Sequence, residues 1–272
     1  MTRLKAVYQT CFALSIALWA SPTLGHEFWI DPVDPSVAPG DEIVADNRVG
    51  ENLKGSGMIY NPNSFTQFVM IDPDGVRQVE GRMGDRPALS MTAGPDGLHI
   101  ISHMTTANKL KYAKFKKFQT FVETHGQAFA VARHEALGLP KEDFTEAYFR
   151  CAKALVKVGS GEGKDRATGM PFELVALTNP YTTDGDQRFV LLYKGKPKPN
   201  HQVDVFRRPA EAEDVVMSSL QTDALGEVIV PREAGEIMLN AVVLEEPRPS
   251  MAEKLDAVWV SLWASTTYTI ED

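Results

Sequence analysis

The stretch Phe144-Thr145-Glu146-Ala147-Tyr148-Phe149-Arg150-Cys151-Ala152-Lys153-Ala154-Leu155-Val156-Lys157-Val158 lies near the middle of the 272-residue chain, and the fold turns on how it is read. Phe144, Tyr148, Cys151, Ala152, Leu155 and Val156 recur at intervals of three and four residues. That spacing marks one apolar face of a helix. Upstream, Phe115, Phe118, Phe121 and Val122 also fall at helical spacing, and His125-Gly126 offers a helix end at which glycine takes left-handed backbone. Ala128 to Leu137 reads as a second short helix, stopped by Gly138 and Pro140. Residues 107–165 are therefore expected to form a helical insert. The insert ends in Ser160-Gly161-Glu162-Gly163-Lys164-Asp165, a flexible polar stretch that lacks the strand, Lys-Ser/Thr pair and helix of a phosphate loop.

Both flanks read as β-structure. In residues 26–106, short apolar runs at 28–30, 42–49, 65–71, 76–79, 88–93 and 98–104 are separated by Pro39-Gly40-Asp41, Asp72-Pro73-Asp74-Gly75 and Gly94-Pro95-Asp96-Gly97. Proline and glycine at these positions set turns between antiparallel strands. Residues 166–272 hold seven candidate strands, at 172–177, 188–193, 202–207, 215–221, 228–230, 237–244 and 258–269. Seven is the count of an immunoglobulin-like sandwich. The expected fold is mainly β: two antiparallel sandwich regions, 26–106 and 166–272, with a helical insert between them.

Residues 1–25 have the layout of an export signal. Arg3 and Lys5 precede an apolar run from Ala6 to Ala20, then Ser21-Pro22 breaks the helix and Thr23-Leu24-Gly25 supplies small residues for cleavage. The expectation is cleavage between Gly25 and His26, leaving a periplasmic or secreted protein; an uncleaved membrane anchor is the alternative. No later segment is apolar for long enough to span a bilayer. Loss of Arg3 and Lys5 takes the formal charge from −8 to −10, which gives no general attraction to nucleic acid. The mature chain keeps one cysteine, Cys151, so no internal disulfide can form.

Several motifs recur together. They are His26-Glu27-Phe28-Trp29 at the signal junction, Gly97-Leu98-His99-Ile100, the run Arg150 to Gly159, Gly169-Met170-Pro171-Phe172-Glu173-Leu174 and Asn179-Pro180-Tyr181, then Gly195-Lys196-Pro197 and Thr222-Asp223 with Gly226. From His26 to nearly the end, the chain resembles the DUF4198 family of exported proteins, also labelled NikM-like or nickel-uptake-associated. The resemblance implies an Ig-like or transthyretin-like C-terminal domain, a metal site near the mature terminus, and a role beside a membrane transporter component rather than as the permease.

A terminal His26 would present an α-amine and an imidazole from one residue, a nitrogen pair that suits Cu(II) and Ni(II). His103 is the preferred second ligand, and Glu27 and His99 are weaker candidates. Glu27 neighbours His26 on a strand and so points to the opposite face. His99 and His103 share a face, but two strand positions four apart lie ~13 Å apart and cannot both reach one ion. His99, set among Leu98, Ile100 and Ile101, reads as a structural histidine. His125 reads as a ring complementing a helix end, His134 as a residue of the helical segment, and His201 as an exposed turn residue. Lys109, Lys111, Lys114, Lys116 and Lys117 read as a solvated basic face, and Cys151 as an inert thiol. The expected function is an exported metal-binding accessory protein that handles nickel, cobalt or copper. Its alternatives are a partner- or glycan-binding module without metal, and an oxidative copper enzyme built on the terminal histidine. No nucleophile motif points to other catalysis.

Overall fold

The computed structural model describes residues 26–271, so the signal-like segment 1–25 lies outside the described residues. The segment Phe144–Val158 is a β-strand of 15 residues, and the helix expected there is corrected. The cause is burial on both faces. Ala152, Ala154, Val156 and Val158 pack into one core with Phe28, Ile43, Phe68 and Ile101. Ala147 and Leu155 pack into another with Leu174, Phe189, Leu239 and Leu262. A strand covered on both faces has no polar face, so the alternation of a half-buried strand is erased. What remains fits intervals of three and four by accident.

In chain order the elements are β1 (Glu27–Pro32), β2 (Ser36–Val37), β3 (Glu42–Glu51), β4 (Lys54–Met58), β5 (Phe65–Asp72), β6 (Gly75–Gln78), β7 (Leu89–Thr92), β8 (Gly97–Thr105) and β9 (Asn108–Tyr112), then helices α1 (Phe115–Thr124) and α2 (Phe129–Ala136). There follow β10 (Phe144–Val158), β11 (Phe172–Ala176), β12 (Gln187–Tyr193), β13 (Lys196–Pro197), β14 (Gln202–Arg208), β15 (Val216–Gln221), β16 (Glu227–Val230), β17 (Gly235–Glu245), α3 (Pro249–Leu255) and β18 (Trp259–Ile270). The mainly β class holds, and all seven strands expected beyond residue 170 are present. Helix α1 ends at His125, with Gly126 at φ +67°, as the sequence suggests. The short helix α3 is not expected from the sequence; Pro249 opens it, Asp256 closes it in left-handed backbone, and it fully buries no residue, touching the core only through the half-buried Met251 and Leu255.

Most strand pairs are antiparallel, but β10 pairs in parallel with β18, from Glu146 opposite Trp259 to Ala154 opposite Thr267. That pairing fuses the two sandwich regions into one ten-stranded sheet, ordered β15-β14-β17-β18-β10-β8-β5-β6 with β2 and β9 also on β10. A sheet of β1, β3, β4 and β7 covers one face of its N-terminal half. A sheet of β11, β12, β13 and β16 covers the opposite face. Helix α1 covers β17 and β18 through Phe118 and Phe121 against Val242, Leu244, Trp259 and Trp263, and α2 joins the same core through Ala130. Among the described residues, no helix is long and apolar enough to cross a membrane.

The polar stretch after β10, expected to be flexible, is pinned. Asn179 Nδ2 donates to the carbonyls of Gly161 (2.8 Å) and Gly163 (3.0 Å). The fully buried Lys153 ammonium pairs with Asp165 at 2.7 Å and donates to the carbonyls of Arg166 (3.1 Å) and Leu174 (3.2 Å). Asp165 also accepts the amide of Ala176 at 2.7 Å. Toward the other end of β10, Glu146 is buried and accepts hydrogen bonds from Tyr112 on β9 (2.8 Å) and Ser261 on β18.

Two stability predictions follow from these buried charges. Lys153→Met leaves Asp165 buried without its cation and is expected to cost about 3–5 kcal/mol in urea unfolding; a loss below about 1 kcal/mol would remove this pair from the account of the fold. Burial raises the Glu146 carboxyl from its ordinary 4.5 to about 7, against the lowering effect of its two hydrogen bonds. The folded state then holds this proton to higher pH than the unfolded chain. The group's contribution is full below pH 4.5 and is lost as pH rises through about 7. Glu146→Gln carries no such dependence. Relative to wild type, the variant should gain on the order of 3 kcal/mol between pH 4.5 and 8; an unchanged difference would show that Glu146 does not titrate in this window.

Candidate functional site

Strand β1 is the divider of the candidate site. Its residues alternate, so Glu27 and Trp29 face one way and Phe28 and Ile30 the other. Phe28 and Ile30 enter the core beneath β3, whereas Trp29 joins Leu53, Phe206 and Met238 on the other side. Each side of β1 opens into a cavity.

On the Glu27 side is a cleft of about 210 Å³, lined by Glu27, Glu51, His125, Asp204 and their neighbours from β15 and the end of α1. The hairpin turn between β3 and β4 holds Glu51 at its edge. That turn puts Asn52 at φ +53° and Leu53 at φ +54°. Two positive φ values are what a two-residue hairpin requires, and leucine is an uncommon occupant. Leu53 is kept there by burial against Trp29, Phe206 and Met238, and its carbonyl accepts a hydrogen bond from Arg208. Glu27 is buried and its Oε2 has no hydrogen-bond partner. Desolvation raises its carboxyl from 4.5 to about 7, with backbone hydrogen bonding opposing and Glu51 and Asp204 adding to the rise.

His125 caps α1, and its ring packs edge-on against Phe121 (5.1 Å) and Trp263 (5.0 Å). Its Nδ1 lies 3.8 Å from Asp204 Oδ2, too far for a hydrogen bond, and is buried without a partner. Asp204 Oδ1 is occupied, accepting from Gln202 (2.8 Å) and Ser219 (2.6 Å). His26 stands at the rim. Its Nδ1 is 3.1 Å from Glu51 Oε1, close enough for an ion pair but not aligned as a hydrogen bond. Its carbonyl accepts from the Arg150 guanidinium at 2.9 Å.

The Phe28 side holds a second cavity of about 250 Å³, and His103 belongs to this one. The His103 ring is walled by Phe68 (4.8 Å), Phe28 (5.1 Å) and Phe65 (5.4 Å). Burial lowers its pKa to about 3, so the ring is neutral. The structure thus sets the rings of His26 and His103 in different surroundings, His26 against Glu51 and His103 among phenylalanines. His99 is structural: its Nε2 accepts the Gly94 amide at 3.0 Å and its Nδ1 meets the Gly97 carbonyl at 3.1 Å, which leaves no ring nitrogen for a metal. His134 is used the same way, by Pro140 and Trp259.

His201, expected to be exposed, is buried; its Nε2 meets the Val242 carbonyl at 3.0 Å and burial lowers its pKa to about 4. The turn before it folds back so that the ring packs edge-on to Phe172. The five lysines from Lys109 to Lys117 are exposed, as expected. Cys151 is buried, and desolvation pushes its thiol up to about 12.

Sequence reasoning passed over His125 and Asp204 as site residues. Each has a local explanation, a helix end and a polar position in Gln202-Val203-Asp204-Val205-Phe206. Only the packing of α1 on the far end of the long sheet brings them together. The one local signal was an acid between two valines in a strand. Among the described residues, no group of three or more His, Cys, Asp or Glu is already spaced around a single point as an ion would require. The donor types do suit a divalent metal, and the 3.8 Å between His125 and Asp204 falls within the ~3–4 Å that separates two ligands about 2.1 Å from one ion.

No curated protein matches the chain. Among solved structures, it aligns with the D0-D1 domain of Intimin at 12% identity, over 88% of this chain and 97% of that one, with a TM-score of 0.19. A score that low carries no argument about fold or function. The family model described as "Domain of unknown function (DUF4198)" matches residues 23–245, most of the chain, and the protein belongs to that family.

Proposed function

We propose that this protein is an exported metal-binding accessory protein that holds a divalent transition metal, nickel, cobalt or copper, for handling or uptake beside a membrane transporter component. One observation carries the reading: Glu27 Oε2 and His125 Nδ1 are buried without partners at a cleft that also presents Asp204 and Glu51 and is lined by no lysine or arginine. A buried carboxylate without a partner is costly to keep, and a cation removes that cost. Carboxylate and imidazole together suit a borderline divalent ion.

Glu27, His125 and Asp204 would hold the metal, with Glu51 and His26 at the rim. A bound ion would act as cargo or as an electrostatic clamp between β1, α1 and β14. His103 does not join this group, because its ring lies on the other side of β1. His26 keeps its proposed role in one respect. Cleavage after Gly25 would free its amine, and Arg150 already fixes its carbonyl.

Titration calorimetry on the chain beginning at His26 tests both ideas. Nickel, cobalt or copper is expected to bind about stoichiometrically. Glu27→Gln and His125→Ala should each weaken binding at least about tenfold, roughly the loss of one ligand contact of about 1.4 kcal/mol. Wild-type affinity in the double variant would overturn the cleft. One residue added before His26 should weaken binding further if the terminal amine is a ligand, and unchanged affinity would confine the site to side chains.

A further inference from the structure

The cavity on the Phe28 side of β1 gathers groups that the metal cleft does not use. His103 on β8 is 3% exposed and its Nδ1 has no partner. Asn47 on β3 is 5% exposed and its Oδ1 has none either. Arg150 on β10 completes the set. Its guanidinium lies 4.8 Å from the Tyr148 ring centre and 5.9 Å from that of Phe28, and its Nε is buried without a partner. Among the described residues, its one side-chain hydrogen bond goes to a backbone carbonyl, that of His26, and none of their carboxylates pairs with it within 4.0 Å. Glu27, across β1, acts on it only through space.

We propose that this cavity is a second binding site, for a small carboxylate with a flat apolar body, held by Arg150 and His103. The charge follows from Arg150, a cation lacking an acid, whose planar fork matches a carboxylate. His103 Nδ1 and Asn47 Oδ1 each lack one polar contact: the ring nitrogen can donate to a ligand carboxylate oxygen, and the amide oxygen can accept from bound water or a ligand hydroxyl. The apolar body follows from the walls, since Phe28, Phe65 and Phe68 surround the His103 ring and Tyr60 lies beside them. A concave, mainly aromatic pocket with a few convergent polar groups is the usual form of a small-molecule site. The volume of about 250 Å³ admits a single-ring acid and little more. At the mouth, Met58 and Ile59 are 45% and 37% exposed, which offers an apolar approach. The site is distinct from the metal cleft and stands or falls separately, although Arg150 touches both through the His26 carbonyl.

The test uses benzoate as the probe, with benzyl alcohol as its neutral counterpart and inorganic phosphate as an anion without an apolar body. Calorimetry or ligand-observed NMR on the chain beginning at His26 should show benzoate binding at least tenfold tighter than either control. Arg150→Gln should reduce benzoate affinity at least tenfold. Asn47→Asp, which adds a carboxylate to the cavity that Arg150 also lines, should reduce it similarly and leaves the arginine in place should Arg150→Gln not fold. Absence of benzoate binding at millimolar concentration would overturn the proposal. So would equal binding of benzyl alcohol or phosphate, or wild-type benzoate affinity in either folded variant.

Discussion

The ammonium of Lys153 is the interaction on which the two halves of this protein depend. It sits at the centre of β10, fully buried, where a charge survives only with close partners. Those partners come from the segment that leaves β10 and enters the C-terminal sandwich: Asp165, the Arg166 carbonyl and the Leu174 carbonyl. Glu173, 4.0 Å away, folds the same segment further by accepting the amides of Thr168 and Gly169. One cation therefore dictates the path of the connection, and the connection places β11 over the face of β10 that carries Leu155. The parallel pairing of β10 with β18 needs a long return through the whole C-terminal region. Pinning its start helps to set where that return begins.

The same sheet explains why a site forms at β1. This strand lies over the seam where β10 meets β18, and its carbonyls are tied there: Ser265 donates to the Phe28 carbonyl at 2.7 Å and Thr267 to that of Ile30 at 2.6 Å. These bonds fix which residues face which way. Glu27 is turned toward α1 and β14, and Phe28 toward β8. The chemistry at either cavity thus comes from elements far apart in sequence, strands and the end of α1, gathered around β1.

The fold was legible wherever a strand had one wet face. Gln202 to Arg208 and the hairpin across Asp72-Pro73-Asp74-Gly75 announced themselves through alternation and turn chemistry. Strand β10 did not, because its neighbours cover both faces. Of the candidate ligands, Glu27 lies in the cleft and His26 stands at its rim against Glu51. His99 is structural, with both ring nitrogens occupied, in keeping with its apolar neighbours. The pairing of His103 with His26 rests on strand ends gathering; the structure sets the His103 ring among Phe28, Phe65 and Phe68 and the His26 ring against Glu51, a difference that depends on strand neighbours the sequence does not show. His125 and Asp204 were invisible for the same reason: each has an ordinary local role, and their meeting is a property of how α1 is laid across β17 and β18.

The buried charges of this molecule supply their own controls. Glu146 and Glu27 are both buried acids raised to about 7 by desolvation. Glu146 has donors from Tyr112 and Ser261, so its environment is complete and its role is to join three strands. Glu27 Oε2 has no donor. Lys153 and Arg150 differ in the same manner on a single strand, the one surrounded by acceptors and the other resting on aromatic rings with its Nε unmatched. Burial alone therefore does not distinguish a structural charge from a functional one. Completeness of the partner set is what separates these pairs: Lys153 has four oxygen contacts, whereas Arg150, three residues away, keeps an unmatched Nε. Among the described residues, Glu27 and Arg150 are charges left incomplete in this way, each facing a cavity, and the cavities lie on opposite sides of the first strand.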